Sequence, residues 1–487
     1  MILKRFYDEG LAQASYLIGC AVTGEAIVVD PNRDIAQYRA AADAEKLRIT
    51  HVTETHIHAD FVSGTRELAK ETGAREYLSA EGGSDWQYAF AEEDGAQLLR
   101  DGDVIMVGNI RLEVMHTPGH TPEHISFLVT DTAGASEPMG ILSGDFVFVG
   151  DVGRPDLLER AAKVANTMEA GARQLFRSLE RFRALPDWIQ VWPGHGAGSA
   201  CGKSLGAVPT STVGYEKRYN WAVGTVDEAL FVEMVLAGQP DPPKYFAEMK
   251  RINRDGPRVL GGFPKPPREG RESLKRAIDL GARAAATGAD TGPRARAAVV
   301  DTRTAVEFGK AHVPGTLNIP LNKSFSTWAG WLVPYDVDIH LIADDEAAAG
   351  RAVRELAMIG LDRVTTWYDP TVIEEWRKSG ARLGTIKKTD VSELATRDGD
   401  VTILDVRNTP EWSAGHVPGA IHIPVGQLSE RLAELPRDKP LIIHCQGGGR
   451  SAIATSLLQT LGLTNAEDLK GGYNAWTAAG NEGVTGE

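Results

Sequence analysis

Short runs of apolar residues alternate with longer amphipathic runs through the first 192 residues of the chain. Residues 26–30 are β-rich and predict a strand, residues 34–47 show helical spacing, and residues 49–54 predict the next strand. Strands that alternate with helices in this way are typical of a layered α/β domain. We therefore predict an α/β domain over residues 1–245.

A change in composition follows this domain. Prolines and basic residues concentrate between residues 244 and 276, and we predict a linker at residues 246–280. This composition predicts a solvated linker, although its basic side chains are also compatible with an anionic substrate.

The second half of the chain contains an internal repeat. The sequence His-Val-Pro-Gly occurs at residues 312–315 and again at 416–419, and an Asp-X-Arg motif upstream recurs at the same offset. Each copy predicts strands that alternate with helices, which is typical of a doubly wound α/β unit. We predict two tandem domains of one fold, at residues 281–383 and 384–487.

Composition and charge narrow the class of protein. A chain of 487 residues with 42% hydrophobic and 24% charged residues fits a folded enzyme of about three domains. The net charge of −14 argues against a nucleic-acid partner. The sequence has no apolar window of about 18 residues, so it supports neither a membrane span nor a signal peptide. Only three cysteines are present, which excludes a disulfide framework and favours the reducing cytoplasm.

Four loops of the first domain carry histidine or aspartate directly after a predicted strand. Two imidazoles two residues apart at a strand end point to the same side, and neutral imidazole is the commonest metal ligand in proteins. Together these loops predict a metal site. Their candidate residues are His56, His58, Asp60, His120, Asp145 and His195.

The four loops resemble the metallo-β-lactamase superfamily over about residues 1–240. Its signature is Thr-His-X-His-X-Asp-His followed by three ligand loops, and the last histidine of that signature is Phe61 here. In two-zinc hydrolases of the superfamily this histidine binds the second metal, so its replacement implies that the chain binds one metal. In this respect the chain is similar to the persulfide dioxygenase branch. It implies an αββα sandwich with one Fe(II) per chain, held by His56, His120 and Asp145.

The same resemblance implies further site residues. Three of them orient the ligands or bind water, namely His58, Asp60 and His195. Arg154 lies in a Gly-Arg-X-Asp loop and suits the carboxylate of a thiol substrate, while a salt bridge to Asp151 or Asp156 is the alternative. Cys201 lies in a loop of small residues, where it either carries sulfur near the iron or packs as an inert thiol.

The last domain places a cysteine between a predicted strand at residues 441–444 and a predicted helix at 452–461. Backbone N–H groups and the positive helix end lower the pKa of a thiol in such a turn, which predicts that Cys445 is a nucleophile. We expect the charge of Arg450 to bind sulfite or thiosulfate. The loop residues predicted to contact the substrate are Gln446, Gly447, Gly448 and Gly449.

The spacing of this loop separates two families. Four residues lie between Cys445 and Arg450, whereas an anion-binding phosphatase loop needs five, and the motif resembles a rhodanese of the Cys-X-X-Gly-X-Arg type. The first repeat has no cysteine in the corresponding loop and is acidic there, at residues 343–346. We interpret it as a degenerate domain and a structural spacer between the active domains, with an inert binding role as the alternative.

As a whole, the chain resembles a persulfide dioxygenase fused to a degenerate and then an active rhodanese domain. This implies oxidation of a small thiol persulfide, based on glutathione, coenzyme A or a similar carrier, by O₂ to sulfite. It also implies sulfur transfer that interconverts sulfite or persulfide and thiosulfate, in sulfide detoxification. A homo-oligomer fits the size of the chain. The alternatives are a glyoxalase-II-like zinc thioester hydrolase, which Phe61 disfavours, and a non-catalytic sulfur-relay protein.

Overall fold

The computed structural model describes residues 1–160, 167–203, 205–239, 241–287, 296–397 and 399–486. The chain divides into two compact units, which are Met1–Phe263 with Ala357–Gly360, and Pro264–Leu356 with Leu361–Glu487. Among the described residues, no helix is both long enough and apolar enough to span a membrane.

Two six-stranded sheets form the centre of the first unit. The first sheet contains β1 (Ile2–Asp8), β2 (Gln13–Cys20), β3 (Glu25–Val29), β4 (Arg48–Thr53), β5 (Arg75–Ser79) and β6 (Gln97–Leu99), in that spatial order. The second contains β7 (Val104–Val107), β8 (Ile110–His116), β9 (Ile125–Asp131), β10 (Gly140–Gly144), β11 (Gln190–Pro193) and β12 (Ser211–Thr212), also as neighbours in sequence order. Strands β3 to β6 are parallel, so the loops after β3, β4 and β5 leave the same edge of the first sheet.

Helices cover the outer faces of both sheets. They are α1 (Ala36–Ala44), α2 (Thr65–Thr72), α3 (Leu157–Arg160), α4 (Met168–Arg183), α5 (Val213–Tyr219), α6 (Trp221–Gly224), α7 (Glu228–Leu236) and α8 (Tyr245–Asp255), and a 3₁₀ turn forms at Ser84–Trp86. Alternate residues of β2 serve two cores: Ile18 packs with Phe127 between the sheets, while Leu17 packs under Tyr38 of α1. Leu179 of α4 packs over the second sheet. These layers confirm the predicted αββα sandwich.

The second unit contains two parallel sheets, one in each repeat. The first repeat contains α9 (Arg271–Thr287), β13 (Ala297–Asp301), α10 (Ala305–Lys310), β14 (Leu317–Asn318), α11 (Phe325–Leu332), β15 (Asp338–Ile342), α12 (Glu346–Met358), β16 (Val364–Tyr368) and α13 (Thr371–Lys378). The second contains β17 (Lys387–Thr389), α14 (Val391–Ala395), β18 (Thr402–Asp405), α15 (Thr409–Ala414), β19 (Ile421–His422), β20 (Leu441–His444), α16 (Gly449–Thr460), β21 (Ala466–Leu469) and α17 (Gly472–Ala478), with 3₁₀ turns at Val425–Gln427 and Leu432–Glu434. The sheet orders are β14-β13-β15-β16 and β17-β21-β20-β18-β19, which confirms two doubly wound α/β domains.

The repeat is also visible in local structure. The capping box that begins α10, between Thr304 and Glu307, recurs at the start of α15 between Asn408 and Glu411. The two repeats therefore begin their second helix in the same way, at the positions that the sequence repeat predicts.

The stretch predicted as a linker contains ordered helices. Helix α8 buries Phe246 and Met249, and α9 buries Leu274 and Ala277. Helical spacing of these apolar residues gives both helices a buried face, although prolines and basic residues dominate the composition of the stretch.

Candidate metal centre and sulfur-transfer site

The loop after β4 brings the first histidine into the interior of the first unit. His56 is 1% exposed, its Nδ1 lies 3.0 Å from Oγ1 of Thr55, and its Nε2 has no hydrogen-bond partner among the described residues. Asp30, directly after β3, accepts hydrogen bonds from the backbone N–H of Thr55 at 2.6 Å and from its hydroxyl at 3.0 Å. These bonds fix the loop and thereby the direction of the unpartnered nitrogen of His56.

His120 enters the same region from the turn after β8. Its Nδ1 lies 3.1 Å from the backbone oxygen of Arg154, which leaves Nε2 as the lone-pair nitrogen of a neutral ring. Gly119 has a φ of 146°, and a Cβ at this position would lie 2.4 Å from Cβ of Leu175 in α4. Only glycine allows the turn to pass this close to the helix.

Asp145 follows β10 and completes a group of three. Its Oδ2 lies 3.5 Å from Nε2 of His120 and 3.9 Å from Nε2 of His56. Neither carboxylate oxygen accepts a hydrogen bond from any described residue. Ligand atoms of all three residues lie within 4.8 Å of one another, and all three side chains are buried. The structure thus brings together His56, His120 and Asp145, which the sequence predicts as metal ligands.

The electrostatics of this group fit a divalent cation. Burial, and then the neighbouring histidines, hold the pKa of His56 well below its ordinary value, and burial lowers the pKa of His120. Both imidazoles are therefore neutral near pH 7 and offer lone pairs. Leaving Nε2 of His56 and both carboxylate oxygens of Asp145 buried without partners is costly, and a bound cation would satisfy them.

His58 is directed to a different partner. Its Nε2 lies 3.1 Å from Oδ1 of Asp30. Burial lowers the pKa of His58, but Asp30 outweighs this effect and raises the pKa to about 9. Asp30 thus links His58 to Thr55 in the loop of His56, and the two imidazole rings also contact each other directly, with their centroids 4.2 Å apart. Phe61 is fully buried, with its ring centroid 4.4 Å from that of His58, and it offers no ligand atom.

A second buried group lies beside the first. It consists of Asp60, His195 and Cys201, whose ligand atoms also lie within 4.8 Å of one another. Burial lowers the pKa of His195, but Asp145, Cys201 and Asp60 outweigh it and raise the pKa well above its ordinary value. Burial raises the pKa of the Cys201 thiol to about 12, so this cysteine is a neutral thiol near pH 7. Of the two alternatives for Cys201, this favours the packed thiol.

Arg154 is engaged by protein groups. Its side chain is fully buried, and its Nε and Nη2 bond Oδ1 and Oδ2 of Asp156 at 3.0 and 2.7 Å. Its Nη1 donates to the backbone oxygen of Ala200 at 3.1 Å. This is the salt bridge that the sequence offers as the alternative to substrate binding. Contact between Arg154 and a substrate stays a prediction.

The loop after β20 surrounds the sulfur of Cys445. The backbone N–H of Gly448 donates to Sγ at 3.1 Å, and the thiol lies 3.7 Å from Oγ of Ser451 in α16. Gly448 has a φ of 105°, a left-handed conformation that favours glycine at this turn. A sulfur at the N-terminal end of a helix, with a backbone N–H directed at it, is suited to carry negative charge.

Two predicted substrate residues of this loop already have protein partners. Arg450 forms two contacts of 2.6 Å with the carboxylate of Glu411. Gln446 accepts a hydrogen bond from Arg407 at 3.0 Å and donates one to Asn474 at 2.6 Å. The charge of Arg450 is therefore shared with Glu411, and substrate binding by Arg450 and Gln446 stays a prediction.

Cys445 lies on the wall of a cavity of about 740 Å³. The second repeat contributes Gly447, Gly449 and Arg450 to it. The first repeat contributes side chains that include Thr302, Thr304, Trp328, Asp344 and Arg351. The cysteine-less repeat thus forms part of the wall around Cys445, and the choice between a spacer and a binding role stays open.

Sequence reasoning missed three residues that hold these sites. Asp30 positions the loop of His56, and Glu411 pairs with Arg450. His124 accepts a hydrogen bond at its Nε2 from the backbone N–H of Asp145, at 3.0 Å. Each carries a signal: Asp30 ends a predicted strand, His124 follows His120 by four residues, and Glu411 recurs in the repeat.

Family models match both units. A model described as the metallo-beta-lactamase superfamily matches residues 8–195, and one described as a rhodanese-like domain matches residues 388–479. A solved structure of a metallo-beta-lactamase from Staphylococcus aureus subsp. aureus COL is 44% identical, with a TM-score of 0.65. That match covers 76% of this chain and 98% of the other.

Curated relatives carry several kinds of name. A beta-lactamase hydrolase-like protein from Xylella fastidiosa is 29% identical over 307 residues, 55% of this chain, and the chain spans only 63% of that relative's length. The mitochondrial persulfide dioxygenase ETHE1 of Bos taurus is 27% identical over 200 residues, which are 40% of this chain and 68% of the bovine protein. Hydroxyacylglutathione hydrolases also match, and that of Rhodospirillum rubrum is 30% identical over 181 residues, which are 37% of this chain and 60% of the hydrolase.

Proposed function

The chain belongs to the metallo-beta-lactamase superfamily and carries a rhodanese-like domain, and from this premise we propose that it oxidises a small thiol persulfide and transfers its sulfur. In the oxidation, one persulfide, one O₂ and one water give one thiol, one sulfite and two protons. In the transfer, one persulfide and one sulfite give one thiol and one thiosulfate. The paired reactions serve sulfide detoxification, with glutathione or coenzyme A as candidate thiol carriers.

The observation that carries the proposal is the buried group of His56, His120 and Asp145, whose ligand atoms converge and lack sufficient protein partners. Two imidazoles and one carboxylate are the ligand set of non-haem Fe(II) oxygenases. Iron held by these residues would supply the activation of O₂ that the oxidation requires. Phe61 offers no further ligand, which supports a single iron in this group.

The residues around this group position it and exclude water. Thr55 and the backbone oxygen of Arg154 hold the second nitrogens of His56 and His120, so each ring keeps Nε2 directed at the cation. The three ligands are at most 2% exposed, which keeps bulk water away from their ligand atoms.

Sulfur transfer uses Cys445. Its thiolate attacks the outer sulfur of the persulfide, the S–S bond of the donor breaks, and the thiol carrier leaves with a proton. Sulfite then attacks the outer sulfur now on Cys445, thiosulfate forms, and the thiolate is restored. The backbone N–H of Gly448 and the N-terminal end of α16 stabilise the negative sulfur in both states.

The test compares two activities of the purified full chain reconstituted with iron. We expect oxygen uptake with glutathione persulfide or coenzyme A persulfide, and sulfite as the product when Cys445 is replaced by serine. We expect Asp145→Asn to lose both bound iron and oxygen uptake, while sulfur transfer from thiosulfate at Cys445 continues. The retained transfer shows that the second unit is folded, and a parental urea midpoint of the metal-free first unit shows the same for the unit that carries the substitution.

Thioester hydrolysis is the competing function, because hydroxyacylglutathione hydrolases are among the relatives. The same preparations are therefore loaded with zinc and assayed with S-lactoylglutathione. If the zinc form hydrolyses this thioester at rates typical of enzymes and the iron form takes up no oxygen, the function of the first unit is thioester hydrolysis and not persulfide oxidation.

A further inference from the structure

The cavity beside Cys445 is much larger than an inorganic sulfur donor requires. Its volume of about 740 Å³ falls in the range of about 300–1,000 Å³ that is typical of sites for organic small molecules. Transfer of the outer sulfur itself uses Cys445 and the loop around it. The rest of the wall is therefore available to the group that carries the sulfur.

Contacts between the two repeats hold this wall in place. Helix α16, which follows Cys445, packs against β14 and α10 of the first repeat. At this contact the backbone N–H of Asn318 donates to Oγ of Ser456 at 3.1 Å, and both residues are buried. The side chains that the first repeat contributes to the cavity therefore keep a set position relative to Cys445.

Three charged side chains of the described residues line the cavity, and two of them have no protein partner. Arg450 is paired with Glu411. Arg351 and Asp344 are exposed, and neither side chain forms a hydrogen bond or an ion pair with any described residue. One positive and one negative charge thus stay available to a ligand in the same cavity.

These two charges fit an amino-acid group. An α-carboxylate pairs with a guanidinium through two parallel hydrogen bonds, and an α-ammonium pairs with a carboxylate. Trp328, which is half-buried, lines the same cavity and offers an aromatic surface to the apolar part of such a ligand. A polyphosphate carrier such as coenzyme A matches Arg351 but not Asp344, because like charges repel.

We propose that the first repeat binds the carrier of the persulfide, and that this carrier bears an amino-acid group, with its carboxylate on Arg351 and its ammonium on Asp344. The inference rests on the proposed sulfur transfer and specifies its donor as a persulfide of the glutathione type. The cysteine-less repeat is then the carrier-binding half of the site, whereas Cys445 receives the sulfur.

The first test compares two sulfur donors in the full chain. Thiosulfate formation from glutathione persulfide and sulfite measures transfer from a carrier, and thiocyanate formation from thiosulfate and cyanide measures transfer without one. Rates are corrected for the uncatalysed reaction with Cys445→Ser. We expect Arg351→Gln to lower the ratio of kcat/KM for glutathione persulfide to kcat/KM for thiosulfate at least tenfold, chiefly through the KM for the persulfide. Lys378→Gln removes an equal charge from a side chain that is 73% exposed and lies off the cavity wall, and it should not change this ratio.

A chemical change of the carrier tests the charge of Asp344. N-acetylglutathione persulfide lacks the ammonium group, so we expect the parent chain to use it at least tenfold less efficiently than glutathione persulfide. Asp344→Asn should remove most of this difference and should raise kcat/KM for coenzyme A persulfide.

Two results would overturn the inference and leave the proposed function in place. They are an unchanged donor ratio in Arg351→Gln, and equal use of glutathione persulfide and its N-acetyl form by the parent chain. A parent chain that transfers sulfur from thiosulfate but from none of the three persulfides would overturn both the inference and the proposed transfer. Oxygen uptake by the iron form tests the proposed oxidation separately.

Discussion

Replacing Arg154 by methionine tests whether this arginine serves the fold or the substrate. The guanidinium is fully buried and makes two bonds to Asp156, which is itself fully buried. Removing one partner of a buried ion pair costs about 3–5 kcal/mol, because the remaining charge stays buried without compensation. Asp156 keeps one weaker contact, since Nε of Arg160 lies 3.4 Å from its Oδ2. We therefore expect the free energy of unfolding to fall by the lower end of this range, about 3 kcal/mol. This corresponds to a roughly hundredfold decrease in the folding equilibrium constant.

The assay is urea unfolding of the full chain, with the two units followed separately. Oxygen uptake reports the first unit, and sulfur transfer at Cys445 reports the second, whose midpoint should not move. With a denaturant slope of about 1–3 kcal/mol per molar urea, the midpoint of the first unit should fall by about 1 M or more. The double variant Arg154→Met with Asp156→Leu should recover much of the loss, because no buried charge remains.

One result would refute this reasoning about Arg154. If Arg154→Met unfolds at the parental urea concentration while the KM for the persulfide rises, the guanidinium binds substrate and the ion pair with Asp156 contributes little to stability. A matched Asp156→Asn variant distinguishes the cases further, because it should lose stability only where the pair supports the fold.

Three further changes should have defined effects. His120→Ala should abolish metal binding and oxygen uptake but leave sulfur transfer from thiosulfate, as metal analysis and an oxygen electrode will show. Gly472→Ala should reduce that sulfur transfer at least tenfold, because its Cβ would lie 2.2 Å from the backbone oxygen of Cys445 at a φ of 58°. Burial, and then nearby carboxylates, raise the pKa of Glu76 from 4.5 to about 7, so the folded chain binds a proton that the unfolded chain releases. Stability from this group should fall as pH rises from about 4.5 to 7, and Glu76→Gln should remove that fall in urea midpoints measured across the range.

Each of these expectations has a contradicting outcome. Oxygen uptake by a metal-free His120→Ala protein would remove His120 from the metal site. Parental sulfur transfer in Gly472→Ala would show that the Cys445 loop can shift without loss of reactivity. An identical pH dependence in Glu76→Gln would show that Glu76 titrates alike in the folded and unfolded chains.

The sequence places the candidate metal residues directly after strands, whereas the choice of His56, His120 and Asp145 as the ligands depends on the family resemblance and stays a prediction. His56, His120 and Asp145 each lie within four residues of a strand end, after β4 in the first sheet and after β8 and β10 in the second. Asp30 could not be assigned in the same way. Its partner Thr55 lies 25 residues away, and their contact depends on β3 and β4 pairing in parallel.

The sulfur-transfer loop was also predictable, but its surroundings were not. The strand, the cysteine and the helix that follow one another in sequence fix the backbone around Cys445. Trp328 and Arg351 line the same cavity from the other repeat. The local sequence pattern of either repeat does not predict how the two repeats pack against each other. In the stretch predicted as a linker, the local signals themselves conflict. Its prolines favour a linker, whereas the spacing of its buried apolar residues forms α8 and α9.

The cavity beside Cys445 divides its parts between two repeats. The loop that bears Cys445 belongs to one repeat, while Trp328 and Arg351, which also line the cavity, belong to the other. Substitutions in the cysteine-less repeat can therefore alter the size and charge of the cavity without disturbing the backbone that holds the sulfur. For protein engineering, this separates the choice of substrate from the reaction itself, and it makes the repeat without a nucleophile the place to redesign specificity.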